Sequence, residues 1–535
     1  MSPPATSSEN PTTTSSATPP PSIEAAPPAG AVRLHLALIS HTNVGKTTLA
    51  RTLLGMDVGE VRDAAHVTET ADAHVMIATD AGDELRLWDT PGFGDSVRLA
   101  QRLDSSENPV GWFLREVWDR YRDRPFWLSQ LALRAARDNA DVVLYLVNAS
   151  EDPHDVGYVE PEMRILQWLG KPVIVLLNQT GPPKPAAREH DDVLRWRARL
   201  TAFSVVRDVL PLDAFARCWV HERVLLDAVG KALPETLQTG YARLVATWQS
   251  RNRARFDAAV GVLSHYLFVA AQDMEPVDEG DASLINKVLT KVGVTRDRSA
   301  AAQEVAMKTL AARLDAATAE ATQKLIALHG LEGSAVAKVN QRLRENFALQ
   351  TPADPREAGF WGAIASGAAT GLSADLLSGG LTVGGGMLIG GVVGAITAAG
   401  AALGLNKYKG LDQPMVRFSD PFLHALTVAA ILRYLAVAHY GRGRGDWIEG
   451  EAPAFWQSEV EVAVAEQGER FEAIWQALRE RGAARRAREA GIDAPLPGAT
   501  AERDAKALHT LFARTAWNTL ARLYPDNVAA EFPQA

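Results

Sequence analysis

The stretch Leu34-His-Leu-Ala-Leu-Ile-Ser-His-Thr-Asn-Val-Gly-Lys-Thr-Thr48 decides the fold of this chain. Its first six residues are mostly apolar and read as a buried parallel strand, and the residues from Thr47 onward read as a helix start. Between them, Ser40-x4-Gly45-Lys46-Thr47 is one residue short of a full phosphate-binding loop, because Ser40 stands where the first glycine would be. The order has a chemical reason. Backbone N–H groups from Ser40 through Asn43, Val44 and Gly45 to Thr48 sit on a tight loop and a helix N-terminus, where they can point at phosphate oxygens. Lys46 adds a mobile cation, and the Thr47 hydroxyl can ligate Mg²⁺. A side chain at position 45 would collide with the phosphate, which explains the glycine.

Working outward, apolar strands alternate with helical patterns from Leu34 to about Gly230, the signature of an α/β domain whose parallel sheet carries helices on both faces. The strand candidates are Leu34–Ile39, His74–Ala78, Glu84–Trp88, Asp141–Val147, Lys171–Leu177 and Asp208–Leu212. In such sheets the ligand lies at the strand ends. Leu85-Arg-Leu-Trp-Asp89-Thr-Pro-Gly92 ends one strand about forty residues after the loop. An Asp there can hold the hydration shell of Mg²⁺, and Gly92 lets a backbone N–H approach a terminal phosphate.

On Asn43-Val-Gly-Lys-Thr47 and Asp89-Thr-Pro-Gly92, the region from Leu34 to Gly230 resembles a translation-factor-class GTPase domain. The whole chain is similar to an uncharacterised family of bacterial GTPase-like proteins with a helical, glycine-rich C-terminal domain of unknown function. The resemblance implies guanine-nucleotide binding with Mg²⁺ and GTP hydrolysis. Its catalytic groups are Lys46, a switch threonine and Gly92; the metal is held by Thr47, Asp89 and that threonine. Ala64-Ala-His-Val-Thr68-Glu-Thr70 occupies the first switch, and spacing does not choose between Thr68 and Thr70. In potassium-stimulated relatives an asparagine at the place of Asn43 helps bind a monovalent cation; the other reading is that Asn43 braces the loop. Phe93 stands where many small GTPases have a water-orienting glutamine. That implies slow intrinsic hydrolysis, dependent on a protein partner, a cation or self-association. Of the family's base-recognition signature, Asn-Lys-x-Asp, Asn178 is kept and is followed by Gln179, but Gly181 stands where its carboxylate is expected. The guanine contact is thereby weakened; Asp191 or Asp192 would have to fold back to supply a carboxylate, and nothing in the sequence brings them there, while Asp213-Ala-Phe215 sits where a backbone N–H would meet the base.

The remaining composition bounds the reading. At 535 residues the chain is too long for one core. Residues 1–30 are Ser/Thr/Pro/Ala-rich with Glu9 and Glu24 as the only charges, and read as a disordered tail without a secretion signal. Residues 31–234 make the phosphate-loop domain and residues 235–535 a mostly α-helical domain. The net charge of −9 argues for no nucleic-acid partner. A single cysteine, Cys218, fits a reducing cytoplasm and a small core residue. No metal site beyond nucleotide Mg²⁺ is suggested. Trp112, Trp118 and Trp127 read as packing between helices.

Beyond Glu235, Val260–Ala271, Ala300–His329, Ala335–Leu349 and Ala501–Tyr524 read as helices. From Gly359 to Leu405 Asp375 is the only charge and glycine is abundant; Gly386, Gly390, Gly394, Ala398 and Ala402 recur every fourth residue. Such stripes let two helices approach closely, and the reading is an apolar hairpin at 359–405 that contacts the membrane, the alternative being a glycine-packed hairpin buried within the domain. Arg356, Lys407 and Lys409 would keep both ends at the inner face of the cytoplasmic membrane. Pro421–Tyr440 reads as a bundle-core helix, and the basic cluster Arg479–Arg488 as a solvated face rather than a lipid contact. The sequence therefore predicts a GTP-hydrolysing switch coupled to a membrane-associating helical domain. A nucleotide-binding scaffold with negligible hydrolysis and an ATPase are the alternatives, the first motivated by Phe93 and the second by Gly181.

Overall fold

The computed structural model describes residues 28, 30–55, 72–103, 123–180, 186–212, 218–277, 298–331, 415–440, 454–489, 491 and 501–525. Thr68, Thr70, Gly181, Asp213, Phe215, the Ala335–Leu349 helix, the 359–405 hairpin, Trp112 and Trp118 lie outside the described residues.

Strands β1 (Arg33–Ser40), β2 (Asp72–Ala78), β3 (Glu84–Asp89), β4 (Val142–Asn148), β5 (Val173–Asn178) and β6 (Val206–Pro211) form one sheet in the order β2-β3-β1-β4-β5-β6. The sequence placed all six within about two residues, because each is a short apolar run between turn signals. The sheet is mostly parallel, as expected, with one antiparallel strand at its edge. β2 runs antiparallel to β3. The two are joined only by Thr79–Asp83, with Gly82 at φ 87° and Thr79 N–H bonded to Asp83 O at 3.0 Å. A turn that short makes a hairpin, whereas a parallel return needs a crossover of a dozen residues or more.

The period-two alternation of the strands sorts the core. Leu34, Leu36 and Leu38 of β1, Val142, Leu144 and Leu146 of β4 and Ile174 and Leu176 of β5 face one side. There they meet α1 (Lys46–Leu54) and α6 (Trp219–Ala232). Ala37, Ile39, Val143, Tyr145, Val147, Val173, Val175 and Leu177 face the other side. They are covered by α2 (Ser96–Leu103), α3 (Arg124–Asn139), α4 (Val159–Leu169) and α5 (Ala186–Leu200). Each fully buried aliphatic side chain contributes about 1.5–3 kcal/mol, so central strands apolar on both faces are the domain's main source of stability.

One long helix runs from the first half into the second. α7 (Glu235–Gln272) has 38 residues and spans about 57 Å at the helical rise. Its first half gives Tyr241, Leu244 and Trp248 to the sheet's core, and its second half gives Phe256, Ala259, Leu263 and Leu267 to a separate helical core. Because its buried stripe changes partner midway, the sequence pattern was clear only over Val260–Ala271. The helical core also takes α8 (Arg298–Leu328), α9 (Asp420–Ala438), α10 (Ala454–Ala465), α11 (Gly468–Glu489) and α12 (Ala501–Leu523). A small antiparallel pair, β7 (Met274–Pro276) with β8 (Met415–Arg417), closes its edge. Arg313 of α8 ties β7 down through Asp273 at 2.8 Å and Glu275 at 2.6 Å.

By length and hydropathy α9 could cross a membrane, but 61% of its apolar window is buried inside the protein, as for a core helix. The basic cluster of α11 is not simply a solvated face. Arg479 is buried and paired with Asp420, Arg481 is buried and paired with Asp504 at 2.6 Å, and Arg486 donates to Met274 O. Cys218 is buried at the start of α6, as a core residue would be.

Candidate functional site

β1 ends at Ser40 and α1 begins at Lys46, so the loop between them lies at the carboxyl edge of the parallel strands. Two residues of the turn take left-handed backbone angles, Asn43 at φ 66° and Gly45 at φ 91°. Asparagine is among the few non-glycine residues that tolerate this region, which accounts for an exposed asparagine at position 43 without a bound cation. Gly45 has a second constraint: a Cβ there would lie 2.7 Å from Asn178 Nδ2.

Asn178, at the end of β5, is fully buried and donates through Nδ2 to Val44 O at 2.7 Å. It thus props the loop from behind. Gln179 follows at φ 57°, and its Nε2 would lie 3.8 Å from a Cβ on Gly45. The structure therefore brings Asn178 and Gln179 onto the phosphate loop, beside the place the resemblance gives the base. Asp192 is engaged by Arg195 of its own helix.

On the opposite side, β3 delivers Asp89. Its carboxylate is buried, and Oδ2 accepts a 2.7 Å hydrogen bond from Thr47 Oγ1. Two hard oxygen donors converging at a helix N-terminus suit Mg²⁺, which is held by one or two protein oxygens together with phosphates and waters. Lys46 is also buried. Burial lowers its ammonium from the ordinary lysine value, while the Asp89 and Glu162 carboxylates nearby pull in the other direction. The two carboxylates thus oppose the loss of its charge, which phosphate oxygens would also favour.

The Asp89–Phe93 segment, which the resemblance makes the second switch, is fastened to the loop. Phe93 N–H donates to Ser40 O at 2.9 Å, and His41 pairs with Phe93 as an isolated parallel bridge. A Cβ on Gly92 would stand 3.1 Å from both Cα and Cγ2 of Thr42. Phe93 itself is fully buried in the sheet's core.

Sequence reasoning passed over the residues behind the loop. Glu162 of α4 is completely buried, receives Tyr145 O–H at 2.6 Å and lies 2.8 Å from His41 Nδ1. A histidine inside the loop was visible in the sequence; the distance of 121 residues to its carboxylate partner was not.

The model of the 50S ribosome-binding GTPase family matches residues 35–179. The model of a domain of unknown function, DUF3482, matches residues 198–495, more than half of the chain. Among characterised relatives, GTPase Der of Levilactobacillus brevis is 28% identical over 149 residues, covering 28% of this chain and 28% of Der. GTPase Era of Aquifex aeolicus is 25% identical over 206 residues, covering 38% of this chain and 57% of Era. The chain thus spans about a quarter to just over half of the length of these relatives. Among solved structures, Aquifex aeolicus Era bound to GDP.AlF4⁻ aligns with 20% identity and a TM-score of 0.29, over 38% of this chain and 58% of that one.

A further structure is Era in complex with MgGDPNP and nucleotides 1506–1542 of 16S ribosomal RNA, at 19% identity and a TM-score of 0.29, over 38% of this chain and 58% of that one. It corrects one expectation. The exclusion of nucleic acid rested on the chain's net charge, yet a relative of this GTPase domain engages RNA. A whole-chain sum says nothing about how charge is spread over one face, and the exclusion does not stand.

Proposed function

The chain belongs to the DUF3482 family, and we propose that it is a GTP-hydrolysing switch whose nucleotide state is read by the helical region that follows its GTPase domain. The observation that carries this reading is the 2.7 Å meeting of Thr47 and Asp89 beside the buried Lys46. In this reading the loop amides from Asn43 to Thr48 and the Lys46 ammonium bind the phosphates. Thr47, Asp89 and one of Thr68 or Thr70 hold Mg²⁺, which when bound neutralises charge on the phosphate oxygens. Gly92, packed against Thr42, brings a backbone N–H towards the terminal phosphate, so that its loss frees the second switch. α7 carries the change, since its two halves belong to the two cores.

The test is binding of fluorescent GTP, GDP and ATP analogues, followed by single-turnover hydrolysis in sodium and in potassium. Micromolar or tighter GTP binding with measurable turnover supports the switch. Preference for ATP would overturn the guanine assignment, for which the replacement of the usual carboxylate by Gly181 is the reason to look. Faster turnover in potassium would give Asn43 its cation.

A second reading is favoured by Phe93. A buried phenyl ring cannot orient a water molecule, which supports a scaffold that binds nucleotide and scarcely hydrolyses it. Flat single-turnover traces in both salts would select it. We further propose that 359–405 contacts lipid at the inner face of the cytoplasmic membrane, supported by its small-residue stripe and by Asp375 being its only charge. Equal flotation with liposomes of the full chain and of a chain lacking 359–405 would remove that role.

A further inference from the structure

Glu162 is the least expected charge in the molecule. It sits on the inner face of α4, fully buried, directly behind the phosphate loop. Its Oε2 accepts from Tyr145 O–H at 2.6 Å and its Oε1 lies 2.8 Å from His41 Nδ1. The contact with Glu162 Oε1, whose partner oxygen is held by Tyr145, keeps the His41 ring in one orientation. Tyr158, also of the α4 start, stacks on that ring with centroids 4.3 Å apart and planes at 11°, and is itself held by Glu151 at 2.8 Å. Burying an anion here is costly unless it is paired, and replacing it with an apolar side chain would be the simpler way to fill the site.

What the pair accomplishes follows from where His41 stands. It is the first residue after Ser40, its backbone pairs with Phe93 of the second switch, and the next residue, Thr42, touches Gly92. Lys46 is within electrostatic reach of Glu162 on the other side. We propose that Glu162 is a positioning residue: by gripping the His41 ring it sets the loop backbone at His41–Thr42, and with it the seating of the second switch, into the shape that receives a nucleotide polyphosphate. This rests on the nucleotide-binding reading above.

The experiment is a set of variants in the full chain, read by affinity for fluorescent GDP and GTP analogues with thermal melting alongside. Glu162→Ala removes the grip and is expected to weaken both nucleotides by about tenfold, the scale of one charged hydrogen bond. Glu162→Gln keeps the hydrogen-bonding shape and is expected to stay within about threefold of wild type. His41→Ala should resemble Glu162→Ala, and the double variant should be no weaker than either single one, because both remove the same contact. His41→Asn, which places an amide N–H where Nδ1 stands, should recover most of the loss. If Glu162→Ala does not fold, the partly exposed His41 pair carries the test alone.

Unchanged affinity in Glu162→Ala or His41→Ala, additive losses in the double variant, or no rescue by Gln and Asn would overturn the proposal. Failure of the wild-type chain to bind either nucleotide would instead sink the function proposed above. The two failures are therefore separable.

Discussion

Thr47 Oγ1 and Asp89 Oδ2 meet at 2.7 Å although 42 residues separate them. The contact exists because β1 and β3 are adjacent and in register, Leu38 beside Asp89, so the end of one strand faces the helix that follows the other. It joins the phosphate loop to the end of β3 through a hydrogen bond from the Thr47 hydroxyl to the Asp89 carboxylate.

Asp89→Asn keeps an acceptor for Thr47 but removes the charge that Mg²⁺ needs. The Mg²⁺ concentration for half-maximal binding of a GTP analogue should rise by about tenfold or more. Titration of Mg²⁺ at fixed nucleotide checks this, and an unchanged midpoint would take Asp89 out of the metal site.

Lys46→Ala should weaken nucleotide binding by at least about 100-fold, the scale of one or two lost charge-assisted hydrogen bonds. The chain should stay folded, because the lysine's burial opposes its charge and an alanine carries no such cost. Circular dichroism and a fluorescent-GDP titration together measure both halves.

Gly92→Ala places a methyl group 3.1 Å from the Thr42 backbone, so the second switch must shift by a few tenths of an ångström. GDP affinity should hold within about threefold while GTP turnover falls on the order of tenfold, since small misplacements near the reacting centre are costly. Single-turnover hydrolysis distinguishes this from a general loss of binding.

Asp83, in the β2–β3 turn, is clamped by Arg243 of α7 at 2.6 and 2.7 Å. The hydrogen bond from that guanidinium is the main reason its carboxyl is held down to about 2 from the ordinary 3.8. A depressed folded-state value means that the stabilisation is present above pH 3.8 and is lost as the pH falls towards 2. Asp83→Asn should therefore lower the melting temperature at neutral pH and flatten the decline between pH 4 and 2. Melting curves across that window test it, and parallel curves for the two proteins would count against the clamp.

The Arg481–Asp504 pair joins α11 to the start of α12 with both side chains largely out of water. Asp504→Ala strands the guanidinium and should destabilise the helical region by about 3–5 kcal/mol, whereas Arg481→Met with Asp504→Leu should recover much of it. Chemical denaturation of the three proteins decides between these outcomes.

Much of the GTPase half was legible in the sequence because its signals are local. Leu34 to Ile39 alternate between two buried faces, Gly45 and Lys46 follow at fixed spacing, and Asp89 closes another apolar run. The helical half was harder. α7 looks weakly amphipathic because it serves two cores, and the arginines of α11 look solvated until Asp420 and Asp504 arrive beside them.

The sequence by itself determined the strands, the phosphate loop and the order of α/β and helical regions, since the burial period and turn chemistry are written within a few residues. Tertiary structure alone decided that Glu162 grips His41, that Gly92 rests on Thr42 and that Arg243 clamps Asp83. Those contacts join residues 50 to 160 apart, and only strand order, register and helix placement bring such residues within bonding distance.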